Sequence, residues 1–154
     1  MGPSFLDIHH YCWGIMKTNR ALLLVRDQRM RTFYLGSAIG EFDYVIRRSA
    51  PGFKLLPEIL TKKGENLIHL DRGPEGISQL ESAIALKPDY WPPYAAMSDY
   101  YTKIGDLTKA RARLEEGLSA SPDAKPLKRR LAAIDGTKDN RATAPRPEKP
   151  SAPQ

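Results

Sequence analysis

One segment decides the fold: residues 91–124 read WPPYAAMSDYYTKIGDLTKARARLEEGLSASPDA. In its first half, large and small side chains recur every three or four positions and share one helix face: Tyr94, Met97, Ser98 and Tyr101. Gly105 suits the left-handed residue that ends a helix, and Asp106 can cap the next helix. The second half carries its own stripe, made of Leu107, Ala110, Leu114, Gly117 and Leu118. The segment therefore predicts a helix hairpin.

The same plan occurs once before in the chain. A shift of 34 residues aligns residues 57–90 with this segment and brings one Pro-Asp pair onto another. Small residues fall on small residues at three places: Gly64 on Ser98, Gly76 on Ala110 and Ala83 on Gly117. Gly73-Pro74 is expected to form the turn of this copy, because proline is tolerated in a first helical turn. Matching small residues indicate closely packed helices.

These residues resemble the tetratricopeptide repeat, whose unit is a helix pair of about 34 residues. Its characteristic sites are filled by Tyr94, Ser98, Tyr101, Gly105-Asp106, Ala110, Leu114, Gly117 and Pro122. Residues 57–90 match less closely, because Lys63 stands at an apolar site and Asp71-Arg72 stands where Gly-Asp is usual. The resemblance implies an all-α superhelical stack of helix hairpins, with about three helix pairs and a C-terminal capping helix.

Residues 1–56 extend this plan towards the N terminus. Helices are predicted at residues 6–24 and 30–48, joined by the charged stretch 26–29. The later helix carries the side chains expected of a repeat's second helix, Ala38, Phe42, Val45 and Ile46. We expect this N-terminal helical pair to be a degenerate, longer repeat.

The C-terminal residues divide into a helix and a tail. Asp123 can cap a helix over residues 125–136, which would close the stack. Its inward side is expected to be Leu127, Leu131, Ala132 and Ile134, and its water-facing side Lys125, Lys128, Arg129 and Arg130. Residues 137–154 contain four prolines and no aromatic or large aliphatic residue. This composition predicts a disordered Pro-rich tail.

The charge distribution argues against nucleic acid as a partner. The formal net charge is +6. Residues 1–56 and 123–154 each carry eight Lys and Arg against four Asp and Glu, whereas residues 57–122 carry eight against ten. A nucleic-acid-binding face needs its cations gathered on one folded surface, but half of the excess lies in the C-terminal segment. We therefore expect no nucleic-acid partner.

Membrane and export signals are not evident in the sequence. The longest apolar run, residues 21–25, is too short to cross a bilayer, and residues 1–6 do not have the pattern of a signal peptide. We expect a soluble, cytoplasmic protein with no membrane partner. Cys12 is the only cysteine, so an intramolecular disulfide is excluded.

One cluster of reactive side chains, residues 9–13, reads His-His-Tyr-Cys-Trp. His9 and Cys12 would share a helix face, but two ligands make an incomplete metal site. We favour a structural interpretation, in which Cys12 and Trp13 pack in the first interhelical seam with a histidine hydrogen-bonded nearby. The alternative is a metal- or small-ligand-binding helical domain that uses His9, His10 and Cys12. No phosphate loop or nucleophile motif occurs, so we expect no catalytic residue, metal site or cofactor.

In the family that the repeats resemble, the first helices of successive repeats line a concave groove that takes up a partner's peptide or helix. The resemblance thus implies a non-enzymatic protein-interaction scaffold or adaptor. The same helix faces supply the candidate contacts here, Glu58, Thr61, Lys62, Glu65, Ile68, His69, Ala95, Asp99, Thr102 and Lys103.

The expected partner follows from the charges of these faces. Family members that grip acidic chaperone tails use Lys, Arg and Asn, whereas this groove carries Glu65 and Asp99. Like charges repel, so a basic or largely apolar protein partner is expected. Tyr100 and Trp91 either contact the partner or pack at a helix end. A third interpretation is a homo-oligomer, in which an exposed end of the stack pairs with another copy.

Overall fold

A computed structural model describes residues 8–142 of the chain, and the side chains of residues 8–136. Within this range the chain forms seven α-helices and no strand. The helices are α1 (Ile8–Asn19), α2 (Gln28–Arg48), α3 (Leu56–His69), α4 (Gly73–Leu86), α5 (Pro92–Lys103), α6 (Leu107–Ala120) and α7 (Lys125–Ala142). One π-helical turn, Arg20–Leu24, continues α1.

Neighbouring helices form three hairpins, α1 with α2, α3 with α4, and α5 with α6, and α7 packs against α6. The first helices of the hairpins also contact one another in order, α1 with α3 and α3 with α5, and α5 then contacts α7. These four helices therefore share one side of the stack. The predicted all-α repeat of about three helix pairs with a C-terminal capping helix is confirmed.

The helix ends follow the turn chemistry of the sequence. Prolines stand in the first turns of α3, α4 and α5, where their missing N–H loses no hydrogen bond. Gly105 has φ +82°, and Asp106 caps α6 by accepting a hydrogen bond from the Lys109 amide at 3.0 Å. In the earlier repeat Asp71 takes the left-handed conformation instead, with φ 58°. Gly73-Pro74 consequently opens α4 and does not form the turn as predicted.

Gly64 and Gly76 bring α3 and α4 into contact. A Cβ on Gly64 would lie 2.9 Å from the Gly76 carbonyl oxygen, and a Cβ on Gly76 would lie 2.7 Å from that of Gly64. The equivalent positions in the next hairpin hold Ser98 and Ala110, both buried. Two of the small-residue pairs that the 34-residue shift aligned therefore lie inside the hairpins, and in the α3–α4 hairpin they mark a close approach of the two backbones.

Two clusters of buried apolar side chains lie in the core. One gathers Phe42 and Val45 of α2 with Ile59 of α3, so the N-terminal pair is packed on the repeats. The other gathers Tyr94 and Leu114 with other side chains of α5 and α6, together with buried Leu127 and Ile134 of α7. Burying this apolar surface is the main force that holds the stack together.

The C-terminal helix departs from prediction in two ways. It runs to Ala142, beyond the predicted end at Gly136, so residues 137–142 are helical and do not belong to a disordered tail. Residues 143–154 lie outside the described part of the chain. Ala132 is exposed, because five residues after Leu127 the helix has turned its side chain away from the core. None of the described helices is long and apolar enough to cross a membrane.

Candidate partner-binding groove

Two adjoining pockets lie along α3, α5 and α7. The first, of about 240 Å³ between α3 and α5, is lined by Glu65, Ile68, His69, Ala96, Asp99, Tyr100 and Lys103. The second, of about 340 Å³ between α5 and α7, is lined by Ser98, Asp99, Thr102, Gly105, Leu107, Arg130, Ala133 and Ile134. Asp99 lines both, so the two pockets adjoin at this residue, and we call them together the groove.

The groove brings together most of the side chains chosen from the sequence. The first pocket contains Glu65, Ile68, His69, Asp99 and Lys103. Thr102 lines the second. Lys62 lies at the edge, where its Nζ donates a hydrogen bond to Glu65 Oε2 at 2.9 Å.

Three other predicted contacts are buried or hydrogen-bonded within the fold. Thr61 is fully buried, and its hydroxyl donates to the Pro57 carbonyl at 2.7 Å. Ala95 is 3% exposed and belongs to the core. Both were wrong as partner contacts, because α3 and α5 turn these two positions towards neighbouring helices. Glu58 accepts a hydrogen bond from the Tyr11 hydroxyl at 2.5 Å, which ties it to α1.

Tyr11 of α1 and Tyr90, which precedes α5, both lie close to Glu58 of α3. Burial, followed by the hydrogen bond to Glu58, raises the pKa of Tyr11 well above its usual value. Burial, followed by the negative charges of Glu58 and Glu65, raises the pKa of Tyr90 to about 12. Both hydroxyls are therefore protonated at neutral pH, and that of Tyr11 donates a hydrogen bond to Glu58.

The two acidic side chains of the groove both have cationic partners. Arg130 of α7 donates from Nε and Nη2 to the two carboxylate oxygens of Asp99, each at 2.8 Å. This bidentate hydrogen bonding raises the pKa of Arg130. Glu65 pairs with Lys62 at 2.9 Å. Lys103, the remaining cation of the first pocket, pairs with Asp71 at 3.3 Å. The groove therefore presents balanced charges, and the expectation that free carboxylates would repel an acidic peptide loses its basis.

His69 lies at the rim of the first pocket. Desolvation lowers its pKa, the nearby Glu65 acts in the opposite direction, and Lys103 and Arg31 lower it further. A histidine with a lowered pKa is mostly neutral at pH 7. It therefore carries one donor and one acceptor without adding a charge.

The sequence interpretation missed several residues of the groove, and two of them, Ala96 and Arg130, had a readable signal. Ala96 aligns with Lys62 under the 34-residue shift, and Lys62 was itself a predicted contact, so the alignment already pointed to this position. Arg130 was expected to face water. It stands three residues after Leu127 and four before Ile134, and this spacing places it on the inward face of α7.

The His-His-Tyr-Cys-Trp cluster is not packed as predicted. Cys12 is exposed and Trp13 is 47% exposed, so both were wrong as residues of the first seam. The histidine part of the interpretation holds, because His10 Nδ1 lies 2.6 Å from Glu41 Oε2. Among the described residues, no three His, Cys, Asp or Glu side chains are placed to share a metal ion.

Comparisons with known proteins support the fold. No protein-family model matches the chain, and no curated protein sequence matches it. Among solved structures, the Sgt2 TPR domain from Aspergillus fumigatus superposes with a TM-score of 0.68 at 15% identity, covering 96% of this chain and 91% of that one. The first TPR of Spaghetti (RPAP3) bound to the HSP90 peptide SRMEEVD superposes with a TM-score of 0.56 at 14% identity, covering 84% and 98%.

Proposed function

We propose that this chain, which has the tetratricopeptide-repeat fold, is a non-enzymatic adaptor that binds a peptide or helix of another protein in the groove. The observation that carries the proposal is that the two pockets adjoin at Asp99 and together lie along three helices. Adjoining pockets along three helices can hold several consecutive side chains of a partner, as peptide-recognition grooves do. The RPAP3 domain bound to SRMEEVD is a domain of this fold with a bound peptide.

The partner's chemistry is proposed from the groove lining. Ile68, Ala96 and Tyr100 give the first pocket apolar and aromatic surface, and such surfaces supply most of the affinity at protein interfaces. The ion pairs of Glu65 and Asp99 leave little net charge for a partner to neutralise. We therefore propose a largely apolar peptide or helix, whose polar groups are matched by His69, Thr102 and Lys103.

The test selects peptides from a displayed random library on the full chain and measures their affinity by fluorescence anisotropy. Ala96→Arg fills the first pocket from its own wall. Ala112→Arg makes the same change at an exposed position of α6, away from the groove. We expect Ala96→Arg to weaken binding by tenfold or more, roughly the effect of losing one good interface contact. Ala112→Arg should bind as the wild type does.

Circular dichroism of both variants serves as the folding control. Equal affinity of folded Ala96→Arg and the wild type would contradict the proposed groove. The selected peptide is then compared with SRMEEVD and with a version whose three acidic residues are lysines. If the acidic or the basic peptide binds most tightly, charge and not apolar surface governs recognition, and the proposed partner class is wrong.

A further inference from the structure

The exposed large apolar side chains gather at one end of the molecule. Of the nine such side chains in the described residues, seven lie between residues 13 and 33. Leu23 and Leu24 are the most exposed, at 77% each. We call the surface formed by Trp13, Met16, Leu23, Leu24, Met30 and Phe33 the tip patch.

The tip patch spans the outer faces of both helices of the first hairpin. Trp13 and Met16 stand three residues apart on α1, as do Met30 and Phe33 on α2, so each pair shares a helix face. Leu23 and Leu24 lie in the π-helical turn that ends the first helix. The guanidinium of Arg20 lies 4.9 Å from the centre of the Tyr34 ring, a contact between the two segments that carry the patch. Exposed apolar side chains normally occur singly on soluble domains, whereas here six of them lie in one region of the chain.

Cations surround this apolar surface. Arg20, Arg26 and Arg29 are exposed, and none forms an ion pair with another described residue. The nearest carboxylate in the sequence, Asp27, is engaged in capping α2, where it accepts from the Met30 amide at 2.8 Å. The apolar side chains and the arginines thus form an amphipathic, positively charged end of the molecule.

The charge distinguishes between the surfaces that could cover the patch. A second copy would bring a second set of the same arginines against the first, which disfavours self-association. An anionic phospholipid bilayer offers phosphates to the arginines and an acyl region to the leucines. Tryptophan and arginine are both suited to the interface between headgroups and acyl chains.

We propose that the tip patch docks the protein on an anionic phospholipid bilayer, with Leu23 and Leu24 inserted below the headgroups and Arg20, Arg26 and Arg29 on the lipid phosphates. The expectation that there is no membrane partner rested on the lack of a spanning segment. Surface docking needs no such segment, because an exposed apolar and basic surface suffices. This docking leaves the groove free, since none of the residues involved lines it.

The test is flotation of the full chain with vesicles. One set consists of phosphatidylcholine, and the other is an equal mixture of phosphatidylcholine and phosphatidylglycerol. We expect binding to the mixed vesicles only, weakened at high salt as the screening length falls from about 10 Å at 0.1 M to about 3 Å at 1 M. If the folded protein floats with neither set, or equally with both, the proposal is overturned.

Paired variants locate the contact. Leu23→Ser with Leu24→Ser should lower the vesicle partition coefficient by about tenfold or more, because two exposed leucines no longer enter the bilayer. The matched control, Leu86→Ser with Ile104→Ser, changes side chains that are 54% and 55% exposed elsewhere, and should bind as the wild type does. Equal partition of the two double variants would overturn the assignment of the tip patch.

Trp13 gives a second readout at the proposed contact. In a Trp91→Phe variant it is the only tryptophan of the chain. Its emission should shift to the blue on addition of the mixed vesicles, since the indole then leaves water. An unshifted spectrum of vesicle-bound protein would place the contact elsewhere and contradict the proposal.

Discussion

The two ends of this stack differ in whether their apolar surface is covered. At the C-terminal end, α7 buries Leu127 and Ile134 against the last hairpin and exposes Lys125, Lys128 and Arg129. At the N-terminal end, the first hairpin exposes Trp13, Met16 and Phe33. A helix hairpin cannot bury all of its own apolar surface, so the end of a repeat stack needs a polar-backed helix or a partner. The described residues provide such a helix at one end only.

The difference is already present in the chemistry of the terminal helices. Beyond Asp123, the apolar residues of α7 fall mainly on one side and cations fill the other. In α1, Gly14 and Thr18 are buried while Trp13 and Met16 are exposed, so large side chains stand on the face that does not pack. The N-terminal end therefore has the composition of an interface.

The largest expected effect tests whether the ends also differ in stability. Leu127→Ala removes a fully buried side chain and should lower the free energy of unfolding by about 2–5 kcal/mol. The same change at the other end, Leu23→Ala, removes a side chain that is 77% exposed. It should change the free energy of unfolding by less than about 0.5 kcal/mol. Urea denaturation followed by circular dichroism measures both. Similar losses would mean that the N-terminal end is packed as tightly as the C-terminal one.

A smaller effect tests what holds the first hairpin together. Burial alone would raise the pKa of Glu41, but hydrogen bonds from His10 and Lys17 outweigh it, and the pKa is lowered from 4.5. A carboxylate with a lowered folded-state pKa stabilises the fold above its unfolded pKa, and this contribution is lost as the pH falls through the folded value.

Glu41→Gln should therefore destabilise the protein by about 1 kcal/mol at pH 7. The difference from the wild type should shrink once the pH falls below 4.5 towards the lowered pKa. Denaturation at a series of pH values measures it. A difference that stays constant over that range would show that the cost of the substitution does not come from the ionised carboxylate.

The smallest effect concerns the ion pair that joins the groove to the capped end. Arg130 and Asp99 are partly exposed, with side-chain exposures of 33% and 57%. A double-mutant cycle of Arg130→Gln and Asp99→Asn should give a coupling energy of about 0.2–1 kcal/mol, the range of exposed ion pairs. A coupling of several kcal/mol would make the pair a main attachment of α7, in place of Leu127.

The repeats were readable from the sequence because several local signals agree. The Gly105-Asp106 turn, the small residues at 34-residue intervals and the apolar stripes all point to the same helix hairpin. The capping helix was found for the same reason. Its end was misplaced, because Gly136 resembles a helix stop but the helix continues to Ala142.

The errors of the sequence interpretation concern the burial and pairing of individual side chains, because these depend on which helix covers which face. Cysteine is usually buried, yet Cys12 is exposed, because nothing among the described residues packs on the outer side of α1. Thr61 and Ala95 have the spacing of groove positions, but neighbouring helices cover them. Asp99 appeared to be a free charge until α7 brought Arg130 against it. Sequence periodicity predicts which residues share one face of a helix, but only the tertiary packing determines what that face contacts.

The central claim is that partner recognition occurs in the groove. Hydrogen–deuterium exchange of the full chain, with and without a peptide selected for binding, tests it most directly, because bound backbone amides open and exchange less often. We expect slower exchange around residues 65–69 and 96–103 and no change at residues 13–33. Protection confined to residues 13–33, with the groove unchanged, would contradict the claim.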